Sequence, residues 1–132
     1  MVLVDTNGLV DVLQDDPQWA DWSTAQLRAQ AILHALVINP VIYAEMSLSF
    51  STLEDLDDVV LTMELELREI PRPALFLAAR ACAQYRRRGG SKGPVLPDFF
   101  IGAHAAVEGW PLLTRDASRF KTYFPTLDVV TP

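Results

Sequence analysis

The apolar runs in this chain are too short and too uniform to be anything but buried strands. "VLV" at 2–4, "LVI" at 36–38, "PLLT" at 111–114 and "LDVV" at 127–130 show almost no alternation of apolar and polar residues. A strand wetted on one face alternates; a strand without alternation is covered on both faces, as in parallel sheets flanked by helices. The long stretches between these runs have helical character, so the order of elements predicts an α/β domain with right-handed crossovers. In such sheets the functional edge lies beyond the C-terminal ends of the strands.

The connecting segments read as helices with identifiable ends. "TNGLVDVLQ" begins one, capped by Thr6 or Asn7, and Pro17 opens a longer one in which Trp19, Trp22, Ala25 and Ala29 recur at helical spacing. Asn39-Pro40 starts a helix carrying Val41, Ala44, Glu45 and Leu48; proline is tolerated there because its missing N–H would be unpaired anyway. Ser51 with Glu54 fits a capping box for one or two short helices over 51–65. "LREI" at 67–70 is a further strand candidate, and "RPALFLAARACAQYRRRG" at 72–89 a helix. After the loop "GSKGPVLP", Asp98 opens a helix with Phe99, Ala103 and Ala106 inward and Gly109 as its stop, and "ASRFKTYF" makes a last short helix. Neither a repeat nor a linker interrupts 1–132, so a single domain is expected.

Composition excludes several classes. One cysteine, Cys82 within "LFLAARACAQY", allows neither an internal disulfide framework nor a cysteine-based zinc site, and reads as a buried thiol. No apolar run approaches the ~20 residues of a membrane helix, and "MVLVDTNGLVDVL" lacks the basic start of a secretory leader, so a cytoplasmic protein is expected. Seventeen acids against eleven bases leave a formal charge of -6, a poor footprint for simply holding nucleic acid. It weighs less against an enzyme that holds cations in a carboxylate cluster, because bound metal changes the local sign.

Four acids stand near strand-to-helix transitions: Asp5 after the first strand, Glu45 in the helix after the second, Asp98 at a helix start and Asp116 just past "PLLT". Position alone leaves Asp5 and Asp98 as helix caps or as site acids, and Asp116 as a turn residue or a site acid. Glu45 has mainly apolar neighbours in "VIYAEMSL", so it lies on an exposed stripe or in a polar pocket. Convergence of all four would force at least one to protonate unless cations filled the space. An all-oxygen set suits Mg²⁺ or Mn²⁺, which can activate water against a phosphodiester. Asn7 and Thr114 are then placed to hydrogen-bond the carboxylates or the attacking water.

With these motifs in place the chain resembles the PIN domain, and within it the VapC-type ribonuclease toxins of toxin–antitoxin pairs. The resemblance rests on "VLVDTNGLVDVL", "NPVIYAEM", "LPDFFIGAHAAVEGWPLLTRDASRF" and "FPTLDVVTP", and spans nearly the whole chain. It puts the family's acidic quartet on Asp5, Glu45, Asp98 and Asp116, with polar companions at Thr6 or Asn7 and at Thr114. It implies a three-layer α/β/α sandwich with a central, mostly parallel sheet, a homodimer, metal-dependent endoribonuclease activity on RNA, and a cognate antitoxin. It further implies a groove along the early helices, where Trp19, Trp22 and the apolar residues of 41–50 would meet an antitoxin segment.

The basic run "YRRRGGSKG" at 85–93 is either a favourable helix C-terminus or a phosphate-contacting patch, with Arg88 and Lys92 its best members. Arg115 faces RNA or a local carboxylate. His34 and His104 read as surface or packing histidines, and "EDLDD" at 54–58, Asp11, Asp15 and Asp16 as solvated acids. A haloacid-dehalogenase-like phosphatase would need a second acid where Asn7 stands, and a receiver domain a late lysine where Thr114 and Asp116 stand. A non-catalytic RNA- or antitoxin-binding module of the same fold stays open, and metal-dependent turnover separates it from the enzyme.

Overall fold

The structure, a computed structural model, describes residues 1–90 and 96–132. In chain order the elements are β1 (Val2–Val4), α1 (Thr6–Leu13), α2 (Ala20–Leu33), β2 (Leu36–Ile38), α3 (Pro40–Met46), α4 (Leu53–Thr62) and β3 (Glu66–Leu67). α5 (Arg72–Arg87), α6 (Leu96–Glu108), β4 (Leu112–Leu113), α7 (Ser118–Tyr123) and β5 (Val129–Val130) complete them.

The five strands form one sheet in the order β3-β2-β1-β4-β5. Every pairing is parallel. The chain winds outward from β1 to β3 and then returns to the other side of β1. Right-handed crossovers therefore place α1 to α4 over one face and α5 to α7 over the other. The result is the expected helix–sheet–helix sandwich, and it explains why β1 and β2 are buried along their whole length.

Much of the core on the second face is aromatic. Phe99 is fully buried, with ring centroids 5.5 Å from Tyr85, 5.4 Å from Tyr123 and 6.4 Å from Phe124. Gly102, one turn along α6, lets the α7 end pack closely: a Cβ there would lie 2.4 Å from Phe124 Cε2. Gly109 ends α6 at φ +70°, a conformation that favours glycine. Cys82 is buried in α5, as its apolar context predicts. His104 is fully buried, with Nδ1 3.2 Å from the Asn39 amide, so it ties α6 to the start of α3.

Several expected boundaries shift by a residue or two. Asp5 caps α1 in place of Thr6 or Asn7, because it is the first extended residue past β1 and its carboxylate accepts from the Thr6 N–H at 2.7 Å. Thr52, not Ser51, caps α4 through the Asp55 N–H. Asp16 draws Gln18 and Trp19 into a turn, which delays α2 to Ala20. Its buried stripe is then Ala20, Ser23 and Leu27, while Ala25 and Ala29 face solvent. Leu48 lies past α3 in a 3-10 turn. The third strand is Glu66–Leu67 rather than 67–70, since the pairing ends where three-residue β2 runs out. α6 begins at Leu96, so Asp98 sits within its first turn.

The Gly102 contact yields a test. Phe124 and Phe120 close over that position, so Gly102→Ala is expected to cost about 1–3 kcal/mol through overpacking, measurable as a lower denaturation midpoint at unchanged slope.

Candidate active site

Strand order reverses between β1 and β4, and open parallel sheets have their crevice at such a point, outside the strand C-termini. Asp5 leaves β1 there and Thr114 leaves β4. The Asp5 N–H donates to Leu113 O at 2.9 Å, so the two chain exits are bonded to each other.

Two polar side chains and one backbone N–H hold the Asp5 carboxylate. Thr114 Oγ1 donates to Asp5 Oδ2 at 2.8 Å, and the Asn7 amide reaches the same oxygen at 3.2 Å. The Asn7 amide also contacts Thr114 Oγ1 at 3.2 Å, and its carbonyl accepts from the Arg115 N–H at 3.4 Å. Thr6 contributes its backbone N–H to Asp5, while its hydroxyl donates to Glu45 Oε1 at 2.7 Å. That last bond draws α3 toward the end of β1.

Asp5, Asn7, Asp98, Asp116, Ser118 and Arg119 line a polar pocket of about 90 Å³ over Phe120. Glu45 stands beside the pocket rather than in its lining, but its charge reaches Asp5. Asp116 also accepts from the Ser118 N–H and hydroxyl at the start of α7, so it serves as a turn residue as well. Asp98 is ion-paired with Arg119, Nη1 to Oδ2 at 2.5 Å.

The electrostatics follow from burial. Desolvation pushes the Asp5 carboxyl up to about 7; the Thr114 and Thr6 hydrogen bonds pull it down, and the charges of Asp98 and Glu45 push it up again. Asp98 is likewise raised, by burial first and by Asp116, although Arg119 opposes both. Negative charge in the pocket is therefore incompletely compensated by the protein's own groups. The donor set is oxygen only, which fits Mg²⁺ or Mn²⁺ rather than a thiophilic ion. Among the described residues, however, no three His, Cys, Asp or Glu side chains stand close enough together to form a ready-made metal cage.

The sequence from residue 2 to residue 124 matches the PIN domain. The chain belongs to the PIN-domain family.

Solved structures of the same fold span essentially the whole chain. VapBC2 from Rickettsia felis, bound to a DNA fragment from its promoter, has a TM-score of 0.75 at 21% identity, covering 100% of this chain and 99% of that one. DNA-bound VapBC from Salmonella typhimurium gives 0.71 at 20% identity over 98% and 96%. A toxin–antitoxin complex from Klebsiella pneumoniae gives 0.69 at 22% identity over 100% and 98%. No curated protein matches the chain in sequence.

The basic candidates of this PIN domain are distributed differently. Arg88 is exposed, its guanidinium 5.6 Å from the Tyr123 ring centroid. Lys92 lies outside the described residues. Arg115 turns to a local carboxylate: its Nε is 3.0 Å from Asp11 Oδ2, within ion-pair range but off the line of a hydrogen bond. Its guanidinium also lies 5.6 Å from the Trp19 ring centroid. Asp11 is thus buried rather than solvated, and it accepts from Ser23 Oγ as well. It lies one helical turn after Asn7, a spacing that marks the same face of α1.

Sequence reasoning missed Arg119 and Ser118. Arg119 follows Asp116 by three residues, across the turn that leads into α7, and so comes to the same side. That spacing was the available signal. His34 and His104 do not line the pocket.

Two stability measurements test this geometry. An aspartate raised to about 7 in the folded protein favours folding below its unfolded value near 4, and that contribution is lost as pH rises through about 7. In EDTA, Asp5→Asn should therefore exceed wild type by about 2–4 kcal/mol at pH 8.5, narrowing toward pH 5 and closing below about pH 4. An unchanged gap across that range would contradict the burial of the charge. Asp11→Ala, which strips Ser23 of its acceptor and Arg115 of its ion-pair partner, is expected to lose about 1–3 kcal/mol in urea unfolding.

Proposed function

We propose that this PIN domain, spanning 1–132, is a metal-dependent endoribonuclease and the toxin of a toxin–antitoxin pair. The observation that carries the reading is the pocket at the strand switch, where acids from β1's exit, α6 and the β4–α7 turn meet in one polar, incompletely compensated space. Asp5, Glu45, Asp98 and Asp116 would hold Mg²⁺ or Mn²⁺. Such an ion, when bound, supplies Lewis-acid stabilisation of the phosphate and lowers the pKa of water.

The chain's own residues do the positioning. Thr114 and Asn7 fix the rotamer of Asp5, and Thr6 holds Glu45 toward the same end of the sheet. Water oxygen bonds to phosphorus as the bond to the leaving O3′ breaks, giving 5′-phosphate and 3′-hydroxyl ends. Arg88, Lys92 and Arg115 are the candidates for backbone contacts with RNA, Arg115 only if it leaves Asp11. A cognate antitoxin, a homodimer and a cytoplasmic location complete the proposal; they rest on the resemblance to VapC-type toxins. Among the described residues no helix is long and apolar enough to cross a membrane.

A second reading, a non-catalytic RNA- or antitoxin-binding module, is favoured by one observation: the described acids do not form a ready-made metal cage. Cleavage of end-labelled structured RNAs in Mg²⁺, Mn²⁺ or EDTA separates the two. The nuclease reading expects metal-dependent products, abolished by EDTA and reduced at least about a hundredfold in Asp98→Asn. Equal cleavage by wild type and Asp98→Asn would mean a contaminant. RNA or antitoxin binding without cleavage in any metal would favour the module.

A further inference from the structure

Arg119 is the cation among the described residues that line the acidic pocket. Its Nη1 meets Asp98 Oδ2, its guanidinium lies 5.3 Å from the Tyr85 ring centroid, and it lines the same space as Asp5 and Asp116. Both members of the pair are about one-third exposed, so the contact is partly solvated and open to exchange. The supporting helix α7 has six residues, too few to be stable by itself, so packing rather than helix propensity sets how far Arg119 can move.

Arg119 already occupies one oxygen of Asp98, and the space left beside that pair is about 90 Å³, room for a few waters or one ion with little of its own water. A divalent ion with any of its own water would share that space with a guanidinium and repel it. Arg119 holds Asp98 by an oxygen that a metal would need. Resting on the proposal that this pocket takes Mg²⁺ or Mn²⁺, we infer that Arg119 is an internal counter-cation: it holds Asp98 until a divalent ion enters, and it must release that carboxylate for the ion to bind. Tyr85 gives the freed guanidinium a nearby aromatic face on which to rest.

The prediction concerns affinity, not only turnover. Removing a competing cation should tighten metal binding, whereas removing a residue that merely orients Asp98 should weaken it. In calorimetric titration of the full chain with Mn²⁺, Arg119→Gln is expected to bind roughly two- to fivefold more tightly than wild type, the scale of one partly solvated ion pair. Arg119→Lys, which keeps the charge, should remain closer to wild type. Equal or weaker binding by Arg119→Gln overturns the inference, as does an Arg119→Lys that tightens as much as Arg119→Gln. Asp98→Asn separates the two layers. If wild type binds Mn²⁺ and Asp98→Asn does not, the pocket reading stands and the Arg119 comparison decides. If wild type binds none, or Asp98→Asn binds equally, the pocket reading fails and the inference falls with it.

The unmutated protein provides a measurement independent of variant folding. The Nε–H resonance of Arg119, followed by NMR as Mg²⁺ is added, should shift in step with metal occupancy as the ion pair opens. A resonance that stays fixed while calorimetry reports saturation would overturn the inference.

Discussion

Leu3 lies against Leu112 and Val4 against Leu113, and the chemistry at the acidic end depends on that register. Parallel strands end at the same edge, so each strand's exit residues are neighbours without any further constraint. Asp5 and Thr114 meet for this reason, and the bond from the Asp5 N–H to Leu113 O locks them. A one-residue slip in β4 would turn Thr114 toward the opposite face. The apolar runs that looked like plain core are therefore also what positions the carboxylates.

Holding acids at a buried edge works against folding, and the molecule answers with hydrogen bonds rather than with charge alone. Asp5 receives donors from Thr114, Asn7 and the Thr6 backbone, yet desolvation still dominates. Asp98 has a full counter-ion in Arg119 and is still raised. Asp11, by contrast, is buried beside Arg115 and Ser23 one turn further along α1, outside the pocket lining. The difference separates a carboxylate that anchors structure from carboxylates left short of positive charge.

Much of this was legible because it depends on local signals. Unalternating strands announced a parallel sheet, and acids at strand exits announced the edge where they would gather. Asn39-Pro40 began α3 as its residue types require. Cap identity was harder: Asp5 competes with Thr6, and Thr52 with Ser51, and backbone dihedrals decide between neighbours of similar chemistry. The burial of Asp11 was invisible because its partner Arg115 is distant in sequence and arrives only through the β1–β4 pairing. Arg119 was overlooked because one of two basic residues in a short helix carries no mark of direction until its helix is docked.

The position of β4 also governs when the crevice comes into being. β4 enters the sheet beside β1, the first strand made, after β2 and β3 have already taken the other side. A chain growing on the ribosome can build β1 to β3 and carry Asp5 and Glu45 while Asp98 and Asp116 are still unmade. The pocket is complete only once β4 pairs with β1 and Asp98 and Asp116 join Asp5 in its lining. Synthesis itself delays assembly of the candidate centre until nearly the whole domain has emerged.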